Sequence, residues 1–327
     1  MLALAPSFRV LVAARVPVLV VAATRTARVA NLLAAVGPLA ALAKRLGGIE
    51  PRRALPRVAP VTFRRWWRRS GSPGSHSSVG TVALWPDTFT DHLSPAVARA
   101  AVRVLEAAGL TVVLPPDGVC CGLTYVSTGQ LDQARAVQRR TLELMRPLLA
   151  AGTPLVVLEP RCAAALKTDL AARAAPDEPG ARDLAASVRT FAQALEEYAP
   201  DWRPPRLDRP AVGQTHCHQH AVLGDEAERR LRAAAGLDGD LSGGCCGLAG
   251  SFGYEADHYE ISMRIGEQAL LPAVRRSSPD ARSLHLRTRP VPTRGPRPHS
   301  PRTRPAGPQS HHRRSDENAM GDRRGRG

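Results

Sequence analysis

Aromatic residues make up only 4% of this 327-residue chain, and it holds just six cysteines. So few cysteines over such a length cannot staple a secreted, disulfide-built fold. No C-x-x-C occurs, which removes the usual redox dithiol. No apolar run approaches the roughly 20 residues that a membrane span needs. The nearest candidate, VPVLVVAAT at 16–24, is bracketed by Arg9, Arg15, Arg25 and Arg28. The N-terminus therefore reads as short amphipathic helices, and the expected location is the cytoplasm, with at most peripheral membrane contact on its inner face. Walker loops, Ser/His/Asp triads and paired-carboxylate signatures are missing as well. GLAGSFG at 247–253 lacks the lysine and the preceding strand of a phosphate loop. The net charge of +16 invites a nucleic-acid partner, but residues 275–327 carry fourteen arginines against four acids. With the excess lodged in that tail and no helix-turn-helix or zinc-finger pattern beside it, nucleic acid is not an expected partner.

What is present is a clustering of the cysteines. Cys120-Cys121-Gly122 returns as Cys245-Cys246-Gly247, leaving only Cys162 and Cys217 elsewhere. Adjacent cysteines seldom bridge each other, because the small ring strains the peptide between them. They offer two soft thiolates on one short piece of backbone, and the following glycine lets that backbone turn tightly or approach a bulky ligand. Cys217 sits inside His216-Cys217-His218-Gln219-His220, which gathers three imidazoles around one thiolate.

Residues 1–78 read as a helical N-terminal segment followed by a linker. Ahead of the linker SGSPGSHSS lies the basic-aromatic run Phe63-Arg64-Arg65-Trp66-Trp67-Arg68-Arg69, read as an amphipathic turn packed on the body or as a docking surface. From residue 79 the pattern turns α/β. TVALW (81–85), LTVVL (110–114) and LVVLEP (155–160) read as strands, with helices over 94–108, 130–151 and 163–173. Such alternation implies a mainly parallel sheet wrapped by helices. Sites collect where strands end and helices begin, the expected position of both Cys120-Cys121 and Cys162.

AVGQTHCHQH (211–220) resembles the opening TVALWPDTFTDH (81–92), a helix is expected over 225–235, and the second CCG leads into a helix ending near 275. The expected architecture is therefore two pseudo-repeated parallel-sheet subdomains, 79–198 and 199–276, from a duplication of about 120 residues. One consequence fails within the sequence: Cys162 lies 41 residues past Cys121, whereas Arg287 occupies that place after Cys246. From about residue 277 the chain is aperiodic and rich in Arg, Pro, Ser and His, which predicts a disordered basic tail over 277–327. A natural tail, an out-of-frame reading of a GC-rich gene and a diverged second copy all fit.

Several chemistries fit the sulfurs. Buried structural cysteines explain two matched CCG tripeptides poorly. Zinc suits the HCHQH cluster, although paired C-x2-C or H-x3-H spacing is missing. Iron–sulfur ligation suits clustered thiolates best.

These residues resemble the cysteine-rich CCG domain found in heterodisulfide reductase, in the glycolate oxidase iron–sulfur subunit and in lactate-utilisation proteins. WPDTFTDH (85–92), VLEPRC (157–162), THCHQH (215–220), GGCCGLAGSFGYE (243–255) and the first CCG look most like the C-terminal part of FAD-linked D-2-hydroxyacid dehydrogenases. Over roughly residues 30–275 the resemblance implies an oxidoreductase component rather than an enzyme active alone. It implies a [4Fe-4S] centre, cubane or non-cubane, held by Cys120, Cys121, Cys162, Cys217, Cys245 and Cys246. FAD would reside on a partner domain or subunit acting on glycolate, D-lactate or D-2-hydroxyglutarate, beside a ferredoxin-type iron–sulfur domain and a quinone or other acceptor. Heterodisulfide-reductase-like thiol chemistry at the cluster, or a truncated zinc protein, would be the alternatives.

The chain departs from that family's ligand pattern. Ala165 stands where a C-x-x-C would close after Cys162, Asp87 occupies the place of Cys217 in the first half, and no cysteine follows Cys246. Neither half offers four thiolates. His216, His218, His220 and Asp87 are the candidates to complete a set or to lie just outside it. Loop amides at Gly122, Gly247 and Gly250 are candidates for hydrogen bonds to sulfur, and Ser251, Tyr254 and Glu159 are weaker supporting candidates.

Overall fold

The computed structural model describes residues 16–70, 79–173, 180–239, 241–276 and 282–284. All of them fall in the compact unit Met1–Val291. The N-terminal segment forms three short helices, α1 (Val16–Arg25), α2 (Ala27–Ala35) and α3 (Gly37–Leu46), and then α4 (Phe63–Ser70). Among the described residues no single helix is long and apolar enough to cross a membrane; α2 and α3 pass that test only as a pair bent by 99°. Phe63 is fully buried, and Trp66 and Trp67 lie 5.7 and 6.1 Å from its ring and pack on the core. The aromatic run is thus the packed amphipathic turn.

The mixed α/β architecture with parallel sheets is as expected. Strands β1 (Gly80–Trp85), β2 (Leu110–Val113), β3 (Leu155–Val157) and β4 (Val188–Arg189) form a four-stranded sheet in the order β2-β1-β3-β4. Every pairing in it is parallel. Helix α5 (Pro95–Ala107) connects β1 to β2 and buries Ala98, Ala101, Val102 and Leu105, one stripe at helical spacing. Side chains alternate across the sheet. Val82 and Leu84 join α5 and Phe63 in one core; Ala83 and Trp85 join Cys121, Leu142 and Met145 in the other. The first cysteine pair is therefore tied into the second of these cores.

After β2 come α6 (Leu123–Ser127) and the 20-residue α7 (Leu131–Ala150). The strand expected over 155–160 stops at Val157, because Pro160 opens α8 (Pro160–Ala164); proline fits the first turn of a helix and donates nothing to a sheet. The helix expected over 163–173 begins there, passes through a π-helical turn at Ala165–Asp169 and ends in α9 (Leu170–Arg173). Then follow α10 (Ala181–Ser187) and α11 (Phe191–Tyr198), whose first turn is closed by a reciprocal Thr190–Gln193 capping box.

The second half is built on β5 (Arg209–Gln214) and α12 (Glu226–Ala234). Strands β6 (Leu237–Asp238) and β7 (Leu241–Ser242) both pair with β5 at an offset of 28 residues, so they act as one interrupted strand along one edge. A further strand, β8 (Arg282–Leu284), also pairs parallel with β5. Ordered structure thus enters the region read as tail; the rest of 277–327 lies outside the described residues. Ala83 pairs with Leu155, 72 positions on, and Ala211 with Arg282, 71 positions on. In both halves a π-helical turn follows the central strand, at Phe89–Leu93 and at Gln219–Leu223.

The single helix expected after the second CCG is two, α13 (Tyr259–Gly266) and α14 (Leu270–Arg276). Pro272 lies in the first turn of α14, the one stretch of a helix where a missing N–H costs nothing, so the chain restarts its helix just ahead of it.

Candidate metal centre

The first cysteine pair hangs between β2 and α7. The Thr141 hydroxyl of α7 donates to Cys120 O at 2.8 Å and accepts from Cys120 N at 3.0 Å. One turn earlier, Gln138 Nε2 donates to Cys121 O at 3.2 Å. Both side chains are buried, and the CCG backbone takes up the Thr141 hydroxyl and the Gln138 amide N–H. Gly122 adopts φ 75°, a left-handed conformation that suits glycine, and so points its N–H at Cys120 Sγ, 3.5 Å away. Cys162 enters on α8, and its sulfur lies 3.3 Å from Cys121 Sγ.

Asp87 and Glu159 lie near these sulfurs. Asp87 Oδ1 accepts from Phe89 N at 2.8 Å and Thr90 N at 3.1 Å, and its Oδ2 accepts from Thr90 Oγ1 at 2.6 Å. Those bonds close the π-helical turn, so this carboxylate already has a structural task. Burial, then the Glu159 carboxylate, push the Asp87 carboxyl up to about 6 against the pull of Thr90 and Phe89. Glu159 is buried, and its Oε1 has no hydrogen-bond partner among the described residues.

The second pair repeats the local geometry. Gly247 has φ 76°, and its N–H points at Cys245 Sγ at 3.4 Å. Here the helix-borne hydroxyl is Ser262, on α13, which donates to Gly247 O at 2.6 Å. Cys217 stands exposed on the turn after β5, its sulfur 3.6 Å from His218 Nδ1 and 4.0 Å from His216 Nδ1. One ligand atom from each of His216, Cys217 and His218 lies within 4.8 Å of the others. His220 does not join them: it is exposed, and its backbone N–H bonds to His216 O.

The thiols of Cys120, Cys162 and Cys245 are pushed up by their surroundings. At Cys120 the contact with Cys121, then burial, push the thiol up. At Cys162 the Cys121 contact pulls down, but burial and the charges of Asp87, Glu159 and Cys120 outweigh it. Cys245 is raised by burial, opposed by the Gly247 amide and reinforced by Cys246 and Cys217. A cation reverses such preferences, because a coordinating thiol gives up its proton.

The two sets flank one seam. Helix α8, carrying Cys162, packs on the Gln219–Leu223 turn beside Cys217. Leu223 belongs to the same core as Cys121. A Cβ added to Gly250 would stand 2.6 Å from Arg161 Nη1, so the second CCG loop lies against the neighbour of Cys162. Ser251 contributes its carbonyl to the turn that Tyr254 N closes, and the Tyr254 ring lies under Arg53. Gln138, Thr141 and Ser262 were missed in the sequence. A polar residue on the buried stripe of a helix following each CCG was the available signal.

Residues 86–167, which span Asp87 to Cys162, match the cysteine-rich domain family known by its CCG motif. This stretch is a CCG cysteine-rich domain. Relatives that match more of the chain carry the comparison beyond it. A subunit of the anaerobic glycerol-3-phosphate dehydrogenase of Escherichia coli K12 is 27% identical over 265 residues, 80% of this chain and 66% of that protein. The D-2-hydroxyglutarate dehydrogenase of the same organism is 25% identical over 63% of the chain and 20% of the relative. A probable glycolate oxidase iron–sulfur subunit of Bacillus subtilis is 23% identical over 56% of the chain and 43% of the relative. The chain thus spans just under two thirds of the first of these proteins and less of the other two.

The donor set of the CCG domain suits an iron–sulfur centre. Soft sulfurs converge from a strand–helix loop and from α8, largely out of water, with a backbone amide aimed at one of them. In the first half the fit is for three protein thiolates, those of Cys120, Cys121 and Cys162.

Proposed function

We propose that the chain is an iron–sulfur electron-transfer module of a flavin-linked dehydrogenase. Cys120, Cys121 and Cys162 would hold one centre, and Cys217, Cys245 and Cys246 a second. The observation that carries this reading is the matched CCG geometry: two glycines at φ 75° and 76°, each aiming its amide at the first cysteine of its pair. The parallel registers around β1 and β5 support reading the halves as copies of one unit, with domain limits near 79–198 and 199–276. The [4Fe-4S] type is part of the same proposal.

Bound iron and sulfide supply one-electron storage and transfer. The chain's residues do the rest. The thiolates fix position, and the Gly122 and Gly247 amides stabilise negative charge on sulfur, favouring the reduced state. Thr141 and Ser262 hold the loops that bear those amides, while the Ala83/Trp85 core keeps water from Cys121. Electrons would arrive from FAD on a partner that oxidises a hydroxylated acid or phosphate ester, and leave to a quinone or another acceptor. The relatives' names support this class of substrate, glycerol 3-phosphate and D-2-hydroxyglutarate among them. A cytoplasmic location with peripheral membrane contact is consistent with such an acceptor.

The test is iron, acid-labile sulfide and zinc measured on chain purified without oxygen, with its visible spectrum. Iron and sulfide in equal amounts, lost in Cys120→Ala and Cys245→Ala, support the module. Zinc alone would favour a second reading, a mononuclear site at His216, Cys217 and His218, for which the 4.8 Å grouping speaks.

A further inference from the structure

Residues Gly48–Arg53, just ahead of the linker, dock directly on the second CCG loop. Ala256 N donates to Gly48 O at 3.1 Å and Glu50 N to Tyr254 O at 2.8 Å, while Ile49 and Glu255 form an antiparallel bridge. The two arginines of this segment then part company. Arg52 pairs with Glu50 and Glu260, each at 2.8 Å, and covers the Tyr259 ring at 3.7 Å. Arg53 turns inward and is 5% exposed. Its Nε donates to Gly253 O at 2.7 Å and its Nη2 to Ser262 Oγ at 2.6 Å. Both acceptors are neutral, and the Glu50 carboxylate that feels its charge is already bonded to Arg52.

Ser262 hands the link on. Its hydroxyl, 1% exposed, donates to Gly247 O at 2.6 Å. Gly247 is the residue whose amide faces Cys245 Sγ. The hub has no slack: a Cβ on Gly253 would fall 2.6 Å from Ser262 Oγ and 2.7 Å from Gly247 O. A buried guanidinium bonded to neutral oxygens is costly to keep; the Tyr259 and Tyr254 rings, 4.7 and 5.9 Å away, and the Glu50 carboxylate offset part of that cost, and thiolates with bound iron and sulfide would offset more.

We infer that Arg53 is the positioning residue of the second CCG loop: through Ser262 and Gly253 it locks the turn at Gly247, and its charge sits behind the Cys245-Cys246 pair. The locking half is independent of any bound group; the electrostatic half rests on the iron–sulfur reading. A fixed positive charge favours the more negative, reduced state of the centre, so removing it lowers the midpoint potential.

The experiment uses the full chain and the variants Arg53→Gln, Arg53→Lys and Ser262→Ala. On metal-free protein, amide exchange over 245–253 and alkylation of Cys245 report the lock. Both should quicken about tenfold or more in Arg53→Gln, the scale of one lost charged hydrogen bond. Ser262→Ala should quicken them too, and covers the case in which Arg53→Gln does not fold. On reconstituted protein, an EPR-monitored titration should show a lower midpoint potential in Arg53→Gln, with Arg53→Lys near wild type. Wild-type exchange rates in both Arg53→Gln and Ser262→Ala would overturn the lock. Faster exchange with an unchanged potential would overturn the electrostatic half and leave a purely structural clamp. A wild-type chain that takes up no iron would sink the electron-transfer reading, while exchange and alkylation would still decide the lock.

Discussion

Replacing Gly247 by alanine should cost more than the same change at Gly122, although both glycines end a CCG and share nearly one φ. At either site the left-handed conformation itself costs an L-residue about 1–2 kcal/mol. The difference lies in what the new methyl meets. At Gly122 the nearest atom is Gln138 Cγ at 3.3 Å, part of a side chain that can give, with Ala134 O at 3.5 Å. At Gly247 the methyl would stand 2.0 Å from Ser262 O and 2.9 Å from Ser262 C, both backbone atoms of α13. Overpacking against parts that cannot rotate away adds about 1–3 kcal/mol. Gly122→Ala should therefore destabilise by about 1–2 kcal/mol, and Gly247→Ala by roughly 2–5 kcal/mol. Urea unfolding of both variants beside wild type gives the comparison, and iron retained after desalting gives a second reading of the same loops. If Gly122→Ala proved as costly as Gly247→Ala, the clash with α13 would not be the controlling contact.

Cys162→Ala and Cys217→Ser should each lower iron per chain by the share of its own set and leave the other set's share; metal analysis of the two variants checks this, and loss of all iron in either one alone would mean one shared centre. Phe63→Ala removes a fully buried ring on which two tryptophans pack, so it should cost about 3–5 kcal/mol in chemical denaturation. Arg230→Ala breaks a 2.8 Å pair with Glu196 whose side chains are 64% and 39% exposed, so its effect should stay below about 1 kcal/mol and shrink further in salt.

The strands of the first half could be read in the sequence because β1, β2 and β3 are short β-branched runs buried in a parallel sheet, and composition alone marks those. The second half was harder. Its edge strand is split into β6 and β7, each only two residues long, too short to show a period. Strand β8, Arg-Ser-Leu, carries no apolar pattern and forms by pairing with β5. Pro272 marks the break between α13 and α14, which the expectation of a single helix ending near 275 passes over. At the site, the cysteines announced themselves. Their supports did not, since Thr141, Gln138 and Ser262 matter only through the backbone atoms they meet. Arg53 looked like one more basic residue in an arginine-rich chain, and nothing local separates it from Arg52. The three hydrogen bonds of Asp87 show a task in the π-helical turn that spacing could not reveal.

The unequal exposure of the six sulfurs sets an order of chemical attack. Cys121 is buried and Cys162 half-buried behind the Ala83/Trp85 core, whereas Cys217 faces solvent between two imidazoles. Peroxide, alkylating agents and chelators reach Cys217 first. Damage therefore starts in the second half and leaves the first intact until the seam beside α8 opens. A partially oxidised population should be chemically lopsided rather than uniformly degraded, with the second half modified first.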